Sequence, residues 1–206
     1  MREKATGASG RPRKGDPQLN VERIVQAAWA LVDREGVDAL STRTLAAELN
    51  VKGPALYWHM KSMQELLGLM MEHALRDSIV MPSAGLPWPQ WLREVTVAQR
   101  RVLLAHRDSG RIASYSLPSE RTRTEIVPRI IEPLIRAGFR REDATAADGA
   151  LASFVLGWVI YEQGPETRSF VASLVDLDSS FEYGLSAFIQ GLVSQAPAKA
   201  REGLDE

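Results

Sequence analysis

Residues 40–59 read LSTRTLAAELNVKGPALYWH, and this stretch decides the fold of the N-terminal part of the chain. Ser41 is a favourable helix N-cap, and Leu45 and Leu49 follow it at the spacing of one helix face. Pro54 suits the first turn of a second helix, because its missing N–H is not needed there. Two short helices joined by a tight turn of this kind form a helix-turn-helix.

The second helix of the pair, predicted over residues 54–60, carries aromatic and basic groups on its outward surface. Tyr57, Trp58 and His59 lie within a helix of only about two turns. Such a helix makes a poor structural spacer and is better explained as a surface that meets a partner. The alternative is that Leu56, Tyr57 and Trp58 are core residues of a small bundle, and for Leu56 we expect burial.

Helices are also predicted on both sides of this motif. Asn20 is a suitable N-cap for a first helix, whose apolar stripe ends before Gly36. Ser62 and Glu65 form a capping-box pattern that opens a fourth helix reaching about Asp77. This helix joins the helix-turn-helix to the rest of the chain.

Helical periodicity continues beyond a Pro/Gly/Ser-rich loop at residues 81–89. Pro128 and Pro133 are expected to break or kink one of these later helices. No alternation of period two persists long enough for a sheet, so we predict an all-α fold. The predicted segments are a helix over 88–107, a helix within 119–137 that stops at Gly138, a helix from Asp143 to about Glu162, a loop over 164–179 and a last helix that follows Ser179 or Ser180.

The charges of the chain are unevenly distributed, although 25 Lys+Arg nearly balance 26 Asp+Glu over 206 residues. Residues 1–61 hold ten basic and seven acidic side chains, which leaves an acidic remainder. Residues 1–18 are basic and poor in large apolar groups, which predicts a flexible basic arm or, with equal weight, an ordinary disordered terminus. We therefore divide the chain into this arm, a helix-turn-helix domain over 19–65, a regulatory and dimerisation domain over 66–196, and a disordered tail over 197–206.

Composition excludes several classes of protein. Without cysteine there is no disulfide scaffold, thiolate zinc site or cysteine nucleophile. No apolar run approaches the roughly 20 residues of a membrane span, and the polar N-terminus lacks the apolar segment of a signal peptide, so we expect a cytoplasmic protein that does not bind membranes. His59, His73 and His106 lie on different predicted helices, so we expect no metal and no cofactor. No nucleophile motif or phosphate loop points to an enzyme.

The run from about Leu19 to Leu69 resembles the DNA-binding domain of the TetR family of transcriptional regulators. Residues 40–46 and 51–59 carry the resemblance most strongly, and the LYWH ending is typical of the tetracycline-repressor branch. Residues 91–93 and 103–108 resemble the regulatory domain of that branch more weakly. The resemblance implies a homodimer on a palindromic DNA operator, with one recognition helix per subunit in the major groove.

The resemblance also implies roles for individual residues of the motif. Thr42 and Lys61 would contact phosphates, and Arg43 would read a base edge through bidentate contacts with guanine. Gly53 stands where tetracycline repressors have a base-reading side chain, and Met63 replaces a lysine, so the operator sequence is not implied. The other predicted DNA-contacting residues are Lys52, Gly53, Pro54 and Ala55, with Pro54 and Ala55 beside thymine methyl groups, and Tyr57, Trp58 and His59 near the backbone.

The regulatory domain departs from that branch at the groups that hold metal–tetracycline. By alignment, Ala113 and Tyr161 replace its metal-directed histidine and glutamate, and Ile79 and Val95 replace polar pocket residues. We therefore expect a small-molecule effector other than Mg-tetracycline, bound in a more apolar cavity. Each of these side chains could equally be a core residue. The predicted effector-binding residues are Ile79, Val95, Gln99, Ala113, Ser116, Trp158 and Tyr161.

The last two long helices have the composition of a dimer interface. Small residues fill the stretch from Ala144 to Ala152, and an apolar stripe runs through residues 181–192. Internal packing is the alternative. Together the helix-turn-helix, the expected effector cavity and these two helices predict a ligand-responsive repressor that binds DNA as a homodimer and is released by its effector. The competing hypothesis is a small all-α enzyme or binding protein with an incidental helix-turn-helix.

Overall fold

A computed structural model describes residues 19–78 and 85–202, and these residues contain helices and no strand. The all-α prediction is confirmed. The basic arm and Ile79 lie outside the described residues. The helices are α1 (Val21–Glu35), α2 (Thr42–Glu48), α3 (Gly53–Leu56), α4 (Met63–Ser78), α5 (Trp88–Leu104), α6 (Ser109–Tyr115), α7 (Val127–Ala137), α8 (Arg141–Gln163), α9 (Pro165–Ala172), α10 (Leu177–Gln195) and α11 (Ala198–Glu202), with a 3-10 turn at Val37–Ala39 and a π-helical turn at Thr122–Ile126.

The N-terminal helices begin and end where the local signals predict. The Asn20 side chain accepts a hydrogen bond from the Arg23 N–H at 2.8 Å, and α1 ends at Gly36, whose φ of 90° favours glycine. Ser41 caps α2 through a capping box with Thr44. The buried faces of α1, α2 and α3 form one core, closed by Leu66 of α4.

Helix α4 joins this small bundle to the rest of the molecule. It begins as predicted, since the Glu65 N–H donates to the Ser62 hydroxyl at 3.1 Å and the Lys61 N–H donates to the Glu65 carboxylate. Helix α4 packs against α1 on one side and against α5 and α6 on the other. The Trp29 indole N–H of α1 donates to the Met70 carbonyl at 3.2 Å. A movement of α4 would therefore move the helix-turn-helix.

The C-terminal part is built around α5 and α8, which pack against each other and against α7. Helix α10 lies beside α5, and Arg100, which is largely buried, ties the three long helices together through two ion pairs. The Arg100 guanidinium of α5 contacts the Glu162 carboxylate of α8 at 2.8 Å and the Asp178 carboxylate of α10 at 2.7 Å. This contact fixes the end of α8 and the start of α10 against α5.

Several boundaries in the C-terminal part differ from the prediction. Helix α8 begins at Arg141, and Asp143 is not its N-cap, because its carboxylate instead accepts from the Arg140 guanidinium at 2.8 Å. Helix α10 was predicted to follow Ser179 or Ser180 but begins at Leu177, since Asp176 caps it by accepting from the Ser179 N–H. Helix α5 is shorter than predicted and is followed by α6, which the periodicity did not indicate.

Two further helices form where loop or disorder was expected. Helix α9 lies within the predicted loop over 164–179 and begins with Pro165 in its first turn. The expectation of a disordered tail is wrong for α11, where Ala200 is buried and its carbonyl accepts from the Trp88 indole N–H at 3.1 Å. Both helices are held by contacts with distant residues, which local sequence signals do not reveal.

Helix α8 is long and apolar enough to cross a membrane by length and composition, contrary to the expectation from run length. The core helices of water-soluble proteins pass the same test. In α8, Leu151, Val155 and Val159 are buried, whereas Ile160 and Tyr161 are half exposed. The helix is apolar on its buried side and on much of its exposed side.

Candidate functional site

The reading surface, defined here as Thr42, Arg43 and residues 52–61, is formed by α2, α3 and the turn after α3. The helical part of the recognition segment is shorter than predicted, because α3 ends at Leu56 and residues 57–59 continue as a turn. Leu56 and Met60 are buried and anchor the two ends of this turn. The side chains between them are held toward the outside.

The aromatic side chains of this turn are exposed. Tyr57 is 54% exposed and Trp58 is 89% exposed, so the alternative that they are core residues is wrong, while Leu56 is buried as expected. The Tyr57 hydroxyl lies 3.3 Å from the Thr42 hydroxyl, which also donates to the Met63 sulfur. The start of α2, the end of α3 and the start of α4 therefore meet at one point of the reading surface.

The cations of the reading surface have no acidic partners. Arg43, Lys52 and Lys61 are exposed, and no ion pair to any of them occurs within residues 19–78 and 85–202. By contrast, Arg34 on α1 is paired with Glu48 at 2.8 Å, and that hydrogen bond raises the pKa of its guanidinium. Cations whose charged groups form no ion pair are available to phosphate groups.

A charged seam joins α1 and the 3-10 turn to the start of α6. Its first contact is Asp33, whose carboxylate accepts from the Arg107 N–H at 2.9 Å and lies 3.1 Å from His106 Nδ1. The His106 ring also stacks on buried Trp29, with ring centroids 4.2 Å apart. Because α6 belongs to the C-terminal part, these contacts couple it to the helix-turn-helix.

The seam continues through Asp108, a non-glycine residue with a left-handed backbone φ of 56°. Its carboxylate accepts from the Val37 N–H at 2.9 Å. Beside it, Arg111 of α6 makes a two-point contact with Asp38 at 2.8 and 3.1 Å, and these hydrogen bonds lower the pKa of the Asp38 carboxyl. The unusual backbone at Asp108 aims its carboxylate at the N-terminal bundle instead of at the α6 N-terminus.

A cleft of about 530 Å³ opens between α8 and α9. Its inner wall is aromatic, because Phe154 and Trp158 pack edge-on at 6.3 Å and both contact buried Phe181. Among the described residues, no charged side chain lines it. Its lining residues are Ser153, Phe154, Gly157, Trp158, Tyr161, Phe170 and Val171.

Two family profiles match this chain. The first, described as bacterial regulatory proteins of the tetR family, matches residues 24–70, and the second, a tetracyclin repressor-like C-terminal domain, matches residues 81–173. Tetracycline repressor protein class D of Escherichia coli is 32% identical over 148 residues, which are 71% of this chain and 67% of that protein. The chain belongs to the TetR family.

Solved structures of TetR-family proteins agree with this membership. A TetR variant from Acinetobacter baumannii AYE in complex with minocycline superposes with a TM-score of 0.76 at 29% identity, over 88% of this chain and 100% of that one. BioQ with its double-stranded DNA operator gives a TM-score of 0.66 at 31% identity, over 86% and 99% of the two chains. The prediction of a ligand-responsive DNA-binding regulator is confirmed at the level of the family, and these relatives are regulators rather than enzymes.

Two of the predicted effector residues of this TetR-family chain lie at the cleft between α8 and α9. Trp158 and Tyr161 line the cleft. Val95 and Gln99 of α5 are buried and do not line it, and Ser116, at the end of α6, donates its hydroxyl to a backbone carbonyl. Ala113 of α6 is half-buried and also lies outside the cleft lining.

The cleft also contains residues that the sequence analysis missed. Phe170 and Val171 lie on α9, within the segment expected to be a loop. The signal that could have revealed this helix is Gly164 followed by Pro165, since proline is favoured in the first turn of a helix. No group of three or more metal-ligating side chains occurs in the described part of the chain.

Proposed function

We propose that this protein is a cytoplasmic transcriptional repressor that binds a palindromic operator as a homodimer and is released by a small-molecule effector. The proposal that the protein binds DNA rests on the composition of the reading surface. Exposed Tyr57 and Trp58 stand beside the unpaired cations Arg43, Lys52 and Lys61 on a rigid helix-turn-helix. Exposed aromatic groups beside cations that form no ion pair in the described residues are suited, on such a motif, to a DNA duplex.

The residue roles follow from the position of each group on the reading surface. Arg43, in the first turn of α2, would read a base edge, while Thr42 and Lys61 at the margins would contact phosphates. Pro54 and Ala55 would face thymine methyl groups, and the turn of residues 57–59 would follow the backbone. Lys52 and Gly53 stand at the start of α3 and would lie between the base contacts and the backbone contacts.

Two observations support the homodimer. Gly149 of α8 and Gly191 of α10 lie inside helices, yet a Cβ added at either would meet no atom of the described residues within 4 Å. Glycine inside a helix costs about 1 kcal/mol relative to alanine, so we infer that a neighbour outside the chain requires the space. On the same two helices, Ile160 is 48% exposed and Tyr183 is 80% exposed. We propose that α8 and α10 pack against their copies in a second chain.

The proposed mechanism uses two states of the dimer. In the DNA-competent state the two recognition segments lie about 34–36 Å apart, one turn of duplex. An effector that binds the C-terminal domain more tightly in the other state shifts the population by a coupling of typically about 1–3 kcal/mol. Helix α4 and the charged seam connect the two domains, whose boundary we place between residues 65 and 66.

We do not expect Mg-tetracycline to be the effector, although a solved relative holds minocycline. By alignment, Ala113 and Tyr161 replace the metal-directed groups of the tetracycline-repressor branch, and neither methyl nor phenol is a good ligand for a hard divalent cation. A drug-like or metabolite ligand without a metal fits the apolar lining of the C-terminal domain better.

The experiment that tests the proposed function is a titration of the protein onto its own upstream intergenic DNA at several salt concentrations. We expect a specific complex whose affinity falls steeply as salt rises, because phosphate contacts release counterions. Unrelated DNA of equal length is the control. Equal affinity for both DNA molecules would contradict the proposal and favour the alternative of an incidental helix-turn-helix.

A further inference from the structure

Resting on the proposed function, we infer that the effector is an uncharged, flat aromatic molecule and that it binds in the cleft between α8 and α9. The cleft volume of about 530 Å³ lies within the range of about 300–1,000 Å³ that small-molecule sites occupy. Only Trp158 and Tyr161 of the predicted effector residues contribute to this cleft.

The cleft is lined by aromatic rings on both sides. Phe154 and Trp158 form the wall on α8, and Phe170 of α9 stands across from them at 65% exposure. Tyr161, one turn further along α8, is 52% exposed. Exposed rings that face a fixed aromatic wall favour a flat aromatic guest, because ring pairs at stacking or edge-on distance are stabilised beyond their buried area.

The charged side chains of Arg100 and Glu162 pair with each other outside the lining of the cleft. The Arg100 guanidinium lies 4.5 Å from the centroid of the Phe181 ring and is paired with Glu162 at 2.8 Å. This ion pair lies outside the lining, which contains no charged side chain. A charged ligand would give up part of its hydration and find no oppositely charged side chain among the described lining residues, so we infer that the cleft favours uncharged molecules.

Little hydrogen-bonding capacity remains in the lining. The Ser153 hydroxyl already donates to the Gly149 carbonyl at 2.8 Å. The Tyr161 hydroxyl has no hydrogen-bond partner within the described ranges 19–78 and 85–202. The ligand would therefore carry one polar group that meets this phenol and otherwise present apolar surface.

Gly157 gives a direct way to fill the cleft. It lines the cavity, and a Cβ built there would have no heavy atom within 4 Å. Gly157→Leu therefore places a side chain in the cleft without displacing the packing of α8. Thr145→Leu, at an exposed position near the start of the same helix, is the matched control.

The test uses two fluorescent probes with the full-length protein. N-phenyl-1-naphthylamine is neutral, and anilinonaphthalene sulfonate has the same rings with an added negative charge. We expect the neutral probe to bind once per chain and at least about tenfold more tightly than the anionic one, since burying an unpaired charge is costly. Gly157→Leu should weaken neutral-probe binding by about tenfold or more, and Thr145→Leu by less than about twofold.

Equal affinity for the two probes would overturn the inference. Unchanged neutral-probe binding in Gly157→Leu, with loss of the dimer, would overturn it as well and would assign the cleft to a second copy. If Gly157→Leu does not fold, Phe170→Ala replaces it, with the same expected weakening. Operator binding is measured on the same samples. If the unmodified protein binds its operator but does not distinguish the two probes, this inference alone is overturned. If the unmodified protein binds operator and unrelated DNA equally, the proposed function is overturned.

Discussion

Arg43 and Lys61 are both exposed cations of the reading surface, yet they stand at different places on it. Arg43 lies in the first turn of α2, in the helix-turn-helix itself, whereas Lys61 lies after the turn that follows α3. A guanidinium near the groove can make two parallel hydrogen bonds to guanine, while an ammonium at the margin acts on phosphate as a point charge.

We expect Arg43→Ala to lose about 1–3 kcal/mol of binding free energy and to relax the preference at one base pair. Lys61→Ala should weaken binding to all sequences alike and reduce the salt slope by about one. Fluorescence anisotropy with the operator and its single-base variants measures both effects. Arg34→Ala, which removes a cation already paired with Glu48, is the control. A base-specific effect at Lys61 would refute its assigned role.

Asp148 shows how burial perturbs a single carboxyl group. It lies on the same face of α8 as buried Ala144, Leu151 and Val155, and burial raises its pKa from 3.8 to about 6. The folded state therefore holds the proton more tightly than the unfolded chain does. Below about pH 4 the group is neutral in both states, and its destabilising effect grows as the pH rises toward 6 and persists above it.

Asp148→Asn should therefore stabilise the protein near pH 7.5 by on the order of 1–3 kcal/mol and have a much smaller effect near pH 4. Thermal unfolding at the two pH values measures the difference. Glu142→Gln, at an exposed position of the same helix, is the control. A stabilisation by Asp148→Asn that is equal at both pH values would contradict burial as the cause.

At the scale of elements, α4 is held closely against the segment that follows α6. A Cβ added to Gly68 would lie 2.2 Å from the Leu117 carbonyl oxygen, which is a backbone atom and cannot turn away. One turn further along α4, the Glu72 carboxylate accepts from the Ser119 hydroxyl and pairs with Arg121 at 3.5 Å. These contacts attach the helix that carries the reading surface to the regulatory domain.

Gly68→Ala should force α4 and residues 116–118 apart and destabilise the protein by about 1–3 kcal/mol. Gly157→Ala, where the added methyl group points into the cleft between α8 and α9, should instead stabilise it by roughly 0.5–1 kcal/mol. Chemical denaturation followed by circular dichroism compares the two variants. Equal effects of the two substitutions would show that helix propensity, rather than close packing at Gly68, determines the outcome.

At the scale of the whole molecule, α8 and α10 leave an extensive apolar surface uncovered. Ile160 of α8 is 48% exposed and Tyr183 of α10 is 80% exposed. Monomeric soluble proteins rarely expose large contiguous apolar patches. The proposed dimer would also explain the membrane-like composition of α8, since a helix that packs between two chains is apolar on both sides.

Gly149→Leu should shift the dimer toward monomer, because the added side chain separates helices that we propose to be in close contact. Analytical ultracentrifugation over a range of protein concentrations measures this. Thr124→Leu, at an exposed site on the π-helical turn, is the control. Unchanged self-association in Gly149→Leu would contradict the proposed interface. Operator binding by the monomer should fall steeply, since each half-site then binds alone.

Local signals in the chain were sufficient to predict the helix-turn-helix and the helices on either side of it. Asn20, Ser41 and Ser62 predicted where three helices begin, since an N-cap acts on backbone groups only two or three residues away. The apolar spacing identified the buried faces, and the LYWH ending pointed to the family. Such interactions are short in range, so the order of residues alone specifies them.

Contacts between residues distant in sequence determined the exposure of the aromatic side chains, the C-terminal helix and the cleft. Leu56 was expected to be buried, but the alternative that Tyr57 and Trp58 are core residues stayed open until the packing of α3 against α2 left both side chains exposed. Helix α11 depends on Trp88, more than 100 residues earlier, and the cleft depends on α9 folding back on α8. Burial and cavities are properties of elements brought together, because the free energy of removing apolar surface from water depends on every neighbour and not on the local chain.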